Sequence, residues 1–196
     1  EINAMWLDPY GSYSHGYLVL GLALVLAVRH WRAPPPLVPG RPCWAALPVL
    51  IVLLAASVVL DRLFVGGIRS LLLPPLLFFA LAVGAGLPSA RRLLGPVAFL
   101  YLALPVWSPV NGMLRTLTTR VAGAILQGIG VPVFLEGNFV HLPSGTFEIA
   151  AGCSGLNYFL AALTMGAFAC AFLVEGWKRR LTIMALAAAL GIVANW

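Results

Sequence analysis

Charge is what this sequence has least of. Only 9% of its 196 residues are Asp, Glu, Lys or Arg, against 61% hydrophobic, and a soluble domain so composed has too few polar side chains to cover its surface. A water-soluble fold is excluded. Acids are scarcer still, six against twelve Lys and Arg, which leaves a net charge of +6. In a soluble protein that excess would point to nucleic acid. Here the basic residues sit mostly in short loops between apolar runs, where they set topology, so no nucleic-acid partner is expected. Cysteine and histidine number three each. Cys43, Cys153 and Cys170 lie far apart, and no pair of Cys or His has ligand spacing, so neither a disulfide framework, a metal site nor a cofactor is expected. There is no cleavable signal pattern, because the first apolar run is followed by others with no cleavage site between. An initiating Met is missing too, and the chain stops at Trp196 inside an apolar run, so residues 1–196 read as one domain excerpted from a longer protein.

What is abundant is apolar length. A helix needs about 20 residues to cross the ~30 Å hydrocarbon core, and uncharged runs of that order recur. They predict six spans, at about residues 13–28, 44–60, 70–90, 93–107, 154–174 and 181–196. The expected fold is therefore an all-α integral membrane protein, a polytopic bundle of transmembrane helices. Pro48 and Pro74-Pro75 fall inside two of the runs and read as kinks. Asp61 and Arg62 read as a local pair at a span end. Loops rich in Lys and Arg stay cytoplasmic. Those after spans one, three and five carry Arg29, Arg32, Arg41, Arg91, Arg92, Lys178, Arg179 and Arg180, whereas those after two and four carry Arg62, Arg69, Arg115 and Arg120. The N-terminus, with Glu1 and Asp8, is thus expected on the extracytoplasmic side, together with the long segment 108–152.

That segment has two parts of different period. Leu114, Leu117, Val121 and Ile125 repeat at helical spacing with Arg115, Thr118 and Thr119 opposite, which predicts a helix lying in the interface. Then residues 131–135 and 139–142 flank Glu136-Gly137-Asn138, and Pro143-Ser144-Gly145 precedes residues 146–149. Short β-prone runs between turn residues predict a hairpin or a three-stranded meander, placed over the membrane to aim the residues after it.

Those residues, Glu148-Ile149-Ala150-Ala151-Gly152-Cys153-Ser154-Gly155, mark the point where loop turns into transmembrane helix. A thiol at a helix N-terminus feels the positive end of the macrodipole, which favours the nucleophilic thiolate, and flanking glycines admit a substrate backbone. From spacing alone Cys153 reads equally as a small structural Cys at a helix end. Cys43 and Cys170, towards the cytoplasmic side, read as structural.

Residues 147–158, Phe-Glu-Ile-Ala-Ala-Gly-Cys-Ser-Gly-Leu-Asn-Tyr, closely resemble the nucleophile segment of the exosortase/archaeosortase family. Glu136-Gly137-Asn138, Leu142-Pro143-Ser144-Gly145, Ser14-His15-Gly16, Trp177-Lys178-Arg179-Arg180 and Ala194-Asn195-Trp196 extend the resemblance over most of the chain, most strongly from Gly130 onward and towards the bacterial, exopolysaccharide-associated branch. The resemblance implies a multi-pass thiol protease/transpeptidase of the bacterial inner membrane, active on the extracytoplasmic side. Its partners would be membrane lipids and exported proteins bearing C-terminal Pro-Glu-Pro-type (PEP-CTERM) sorting signals, which it would cleave through a Cys acyl-enzyme. Cys153 takes the place of the catalytic Cys. The family's Arg is expected just beyond Asn195-Trp196 and its His further on, so a protein of these residues alone is expected to be inactive.

Several other residues are candidates for the same site. His15 and Glu148 are candidate auxiliary groups, although Glu148, five residues upstream of Cys153, would repel a thiolate. Arg115 and Arg120 could meet the signal's glutamate, and Ser154 and Gly155 could line the substrate. His141 could approach from the hairpin. Bland roles compete throughout: interface anchoring for the arginines, a satisfied polar position for His15, hairpin hydrogen bonding for Glu148. Two other functions fit the composition, a non-catalytic assembly factor of a polysaccharide or secretion system and a small transporter subunit. The second is disfavoured because spans two to five carry no ionisable residue at mid-depth.

Overall fold

The computed structural model describes residues 2–8, 11–33, 40–63 and 66–196; Glu1, expected outside with Asp8, falls beyond them. The described chain divides into two compact units, His15–Val106 and Asn3–Ser14 with Trp107–Trp196. A short helix, α1 (Ile2–Leu7), opens the chain.

The unit His15–Val106 is built of helices. α2 (Gly16–Arg32) buries Gly16, Val19, Ala23 and Leu26, a single stripe at helical spacing. α3 (Leu47–Arg62) continues a 3-10 turn at Trp44–Ala46 and buries nothing. Ile51, Val52 and Val58 are each more than half exposed; an apolar helix left uncovered in this way is suited to lipid and untenable in water. α4 (Gly66–Leu71), α5 (Leu73–Ala85), α6 (Leu87–Arg92) and α7 (Leu94–Phe99) come next, the last running into a 3-10 turn at Leu100–Ala103. Ala46, Ala82 and Ala90 form a small core against which Cys43, Phe78 and Phe79 pack.

Three local expectations are corrected here. The apolar run 70–90 is not one helix: Gly86 adopts φ +87°, where a Cβ would lie 2.8 Å from the Arg41 carbonyl oxygen, and Pro88 occupies the first turn of α6. A residue needing positive φ stops α5, and a proline whose missing N–H costs nothing at a helix start begins α6. Pro48 likewise sits in the first turn of α3 rather than at a kink, whereas Pro74-Pro75 follow a break at Leu72 inside the helical stretch Ile68–Ala85, an interruption of the kind expected. Asp61 pairs with Arg69, not Arg62; eight residues and a helix break bring Arg69 back to it.

Three helices among the described residues are long and apolar enough to cross a membrane, Trp44–Arg62, Ile68–Ala85 and Leu156–Leu173, or up to four if Leu94–Ala103 and Ser108–Gly128 make one broken span. They coincide with the expected second, third and fifth spans. The expected first and sixth fall on helices of 17 residues each, at the lower end of the length that crosses a bilayer.

In the other unit α8 (Ser108–Gly128) buries Leu114, Thr119 and Gly123. Leu117 and Ile125 of the predicted apolar face are exposed, whereas Arg115 and Thr118, on the polar side, make the contacts to the rest of the unit. The helix is amphipathic as predicted, but the side it turns to protein is mixed: Leu114 of the apolar stripe is buried with Thr119 and Gly123, while Arg120 and Gln127 are exposed. β1 (Phe134–Glu136), β2 (Phe139–Leu142) and β3 (Gly145–Glu148) form an antiparallel meander in the order β1-β2-β3. Glu136 pairs with Phe139 and Leu142 with Gly145, so Gly137-Asn138 and Pro143-Ser144 are the two turns. Leu135 of β1 fills the space beside Gly123, where a Cβ would lie 2.7 Å from its Cδ1.

α9 (Leu156–Leu173) and α10 (Trp177–Val193) pack as a hairpin on small residues. A Cβ on Gly166 would lie 2.9 Å from the Ala187 Cβ, and one on Gly191 would lie 2.8 Å from the Phe159 Cα and 3.0 Å from the Tyr158 oxygen. Membrane helices that lack a solvent-driven hydrophobic force between them gain cohesion from such close backbone approach. Gly191→Ala is therefore expected to destabilise by about 1–3 kcal/mol, as overpacking against backbone does, and to lower the unfolding midpoint in detergent. Gly84→Ala, exposed on α5 with nothing within 4 Å, is the control and should not lower it.

Candidate active site

The chain leaves β3 at Glu148 and must turn into α9 within a few residues. Ile149 N–H bonds the Asn138 carbonyl at 2.9 Å, tying this exit to the first hairpin turn. Ala150 is extended, and Ala151–Ser154 form one 3-10 turn closed by Cys153 N–H to the Ala150 carbonyl at 3.0 Å. Gly155 then takes a left-handed conformation, φ +79° and ψ 13°, and α9 begins at Leu156. Cys153 is exposed on that turn, three residues before the helix. The thiol thus lies at the N-terminal end of an 18-residue helix, near the positive end of its macrodipole.

The residues singled out from sequence are not all gathered here. Glu148 is; its carboxylate oxygen is 2.6 Å from the Arg115 guanidinium of α8, with Arg115 21% exposed and Glu148 54%. The same guanidinium donates through Nε to the Ile149 carbonyl. Arg115 therefore neutralises the carboxylate that would repel a thiolate and holds the strand that leads to Cys153, so its cation is turned to protein. Arg120 is exposed, with no ion-pair partner among the described residues. Ser154 and Gly155 do not line an open surface. Ser154 is 2% exposed and its hydroxyl accepts the Leu156 N–H at 3.3 Å. Gly155 is buried, and the space beside it is filled by Asn195, whose Cγ would be 2.5 Å from a Cβ there. A substrate backbone cannot come close where another side chain already lies.

His15 belongs to the other unit, where its Nε2 is 3.1 Å from the Leu102 oxygen. His141 stays within the sheet, with Nδ1 2.8 Å from the Thr146 hydroxyl and Nε2 3.4 Å from the Glu136 carboxylate. Cys170 is buried in α9, its Sγ 3.8 Å from the Arg180 carbonyl. One residue not singled out from sequence, Asn195, meets the segment around Cys153, and a second, Trp196, joins it on Thr118. Asn195 Nδ2 lies 3.3 Å from the Cys153 carbonyl and 3.2 Å from Thr118 Oγ1, and Trp196 Nε1 lies 3.4 Å from the same hydroxyl. The match of Ala194-Asn195-Trp196 to the family is the one signal in the sequence that could draw attention to them.

A family model described as "Transmembrane exosortase (Exosortase_EpsH)" matches residues 6–196. The chain belongs to the transmembrane exosortase family. Comparison with curated proteins and with solved structures gives no match. Its helices and its small antiparallel sheet suit a transmembrane exosortase, and the match spans both compact units.

The Arg115 contacts yield a paired expectation. Glu148→Gln removes an ion pair that is half in solvent, worth about 0–1 kcal/mol. Arg115→Met also strips the Ile149 carbonyl of its donor, and an acceptor left without a partner costs about 1–3 kcal/mol. Thermal unfolding in detergent should rank the midpoints wild type, then Glu148→Gln, then Arg115→Met, the first two close together.

Proposed function

We propose that this exosortase is a membrane-embedded cysteine protease/transpeptidase that cleaves C-terminal Pro-Glu-Pro-type sorting signals of exported proteins, with Cys153 as nucleophile. The observation that carries it is the exposed thiol on the turn before α9, inside a chain matched by the family almost end to end. The Cys153 thiolate attacks the carbonyl carbon at the scissile peptide bond. A C–S bond forms, the C–N bond breaks, and the departing amine takes up the proton the thiol gave up. The thioester is then opened by an acceptor nucleophile, which restores the thiol. The backbone N–H groups that follow Cys153 in the turn are the candidates for stabilising the tetrahedral oxyanion, because those of Leu156 and Tyr158 in α9 are already taken by the Ser154 and Asn157 side chains. Neutralisation of Glu148 by Arg115 supports the assignment, since it offsets the negative charge nearest to Cys153 in sequence. The same proposal places the chain in the bacterial inner membrane as six spans, N-terminus and Cys153 extracytoplasmic, which accords with the distribution of arginines between alternate loops.

The test is processing of a co-expressed reporter that ends in a Pro-Glu-Pro motif, a transmembrane helix and a basic tail, by the full-length protein. Wild type should shorten the reporter, and Cys153→Ala and Cys153→Ser should leave it intact while remaining in the membrane fraction at normal abundance. Cleavage that survives Cys153→Ala would overturn the assignment.

A further inference from the structure

An exposed cysteine on a single 3-10 turn is a poor nucleophile unless something fixes its direction, because attack needs the sulfur within about 3–3.5 Å of the carbonyl carbon along a defined line. The turn is closed by Cys153 N–H to the Ala150 carbonyl. The other side of the residue is held from far away in sequence. One amide nitrogen, Asn195 Nδ2, carries two hydrogens and faces two acceptors, the Cys153 carbonyl at 3.3 Å and Thr118 Oγ1 at 3.2 Å. Thr118 also receives the Trp196 indole N–H at 3.4 Å. Three segments that are distant in sequence, α8, the nucleophile turn and the end of α10, meet on that amide.

We propose that Asn195 is a positioning residue for Cys153, pinning the Cys153 carbonyl to α8 through Thr118. The inference rests on the reading of Cys153 as the nucleophile. Two observations besides the hydrogen bonds support it. Gly155 is the residue that admits Asn195: its positive φ is one reason for glycine, and a Cβ only 2.5 Å from Asn195 Cγ and 2.6 Å from its Cβ is a second, independent one. In addition, the peptide unit from Cys153 to Ser154 is planar, so holding its oxygen also fixes the direction of the Ser154 N–H on the opposite side. Asn195 thereby sets both the orientation of the thiol-bearing residue and that of the first backbone donor after it.

The experiment compares Asn195→Ala, Asn195→Asp, Thr118→Val, Thr118→Ser and the Asn195→Ala/Thr118→Val pair in the full-length protein. Readouts are reporter processing and, without substrate, the rate and pH profile of Cys153 alkylation by iodoacetamide, located by mass spectrometry. Both Asn195 variants should lose about 10- to 100-fold in kcat, the size of loss that misplacement by about an ångström brings, with KM little changed. Thr118→Val should show the same pattern, Thr118→Ser should recover most of the loss, and the pair should be no worse than Asn195→Ala alone. An unaltered kcat in a folded Asn195→Ala protein would overturn the proposal. So would a harmless Thr118→Val, which also serves as the deciding variant if Asn195→Ala fails to accumulate. Should Cys153→Ala retain processing, it is the nucleophile assignment that fails. Alkylation then decides on Asn195 separately: a changed profile in Asn195→Ala that Thr118→Ser does not share upholds the positioning, and an unchanged one rejects it.

Discussion

A chain that passes from a sheet into a membrane helix has to satisfy its backbone polar groups before it reaches hydrocarbon, where an unmet N–H or C=O costs several kcal/mol. The link between β3 and α9 is where this constraint bears hardest on the protein, and α8 meets it. Arg115 takes the Ile149 carbonyl and the Glu148 carboxylate, Thr118 holds the Asn195 amide that takes the Cys153 carbonyl, and Thr119, 1% exposed, turns its hydroxyl back on the Arg115 carbonyl. The sheet is fixed to the same helix through Leu135 beside Gly123. Cys153 is exposed on the turn so held, together with Ala151 and Gly152.

The interfacial position predicted for α8 accords with the way it is turned. In water, a helix with Leu114, Leu117, Val121 and Ile125 on one side would bury that stripe. Here Leu117 and Ile125 are exposed, and what is buried is Leu114, Thr119 and Gly123. Where the surroundings are as apolar as the side chains, nothing is gained by hiding leucine, and hydrogen bonds between segments and close contact at small residues become the cohesive terms. α9 and α10 obey that rule at Gly166, Ala187 and Gly191, and α3 obeys it in reverse, with apolar residues exposed along its length and none buried.

How much can be read from sequence divides along the same line. Helices at 44–62, 68–85 and 156–173 and the two turns at Gly137-Asn138 and Pro143-Ser144 are legible, because each depends on composition and spacing within a dozen or so neighbours. So is the placing of Cys153 at the start of a helix. Periodicity marks α8 as amphipathic but cannot say which of its residues face protein, since the moment of a helix is blind to what surrounds it. Gly155 is legible as a glycine required by close approach. The approaching group, Asn195, is forty residues away and has no local pattern to announce it. Ser154 misleads for a related reason: a hydroxyl beside a nucleophile looks available until the Leu156 N–H that occupies it is seen.

The depth of Cys153 connects this architecture to the proposed substrate. A sorting signal whose motif stands directly before a transmembrane helix presents its scissile bond at the membrane surface, at whatever depth that helix starts. Cys153 stands three residues before α9, itself a helix of spanning length. If both helices sit in the same bilayer with the same polarity, a nucleophile and a peptide bond placed in that way are brought to one level without any further recognition, and the search for the bond is reduced from three dimensions to lateral diffusion. On that proposal, what remains for the protein is to fix direction, and that would fall to the short segment between Glu148 and Leu156. A reaction organised so would tolerate wide variation in the substrate's helix and little variation in the turn that bears the thiol, because depth is set by the bilayer and aim by the bonds from Arg115 and Asn195.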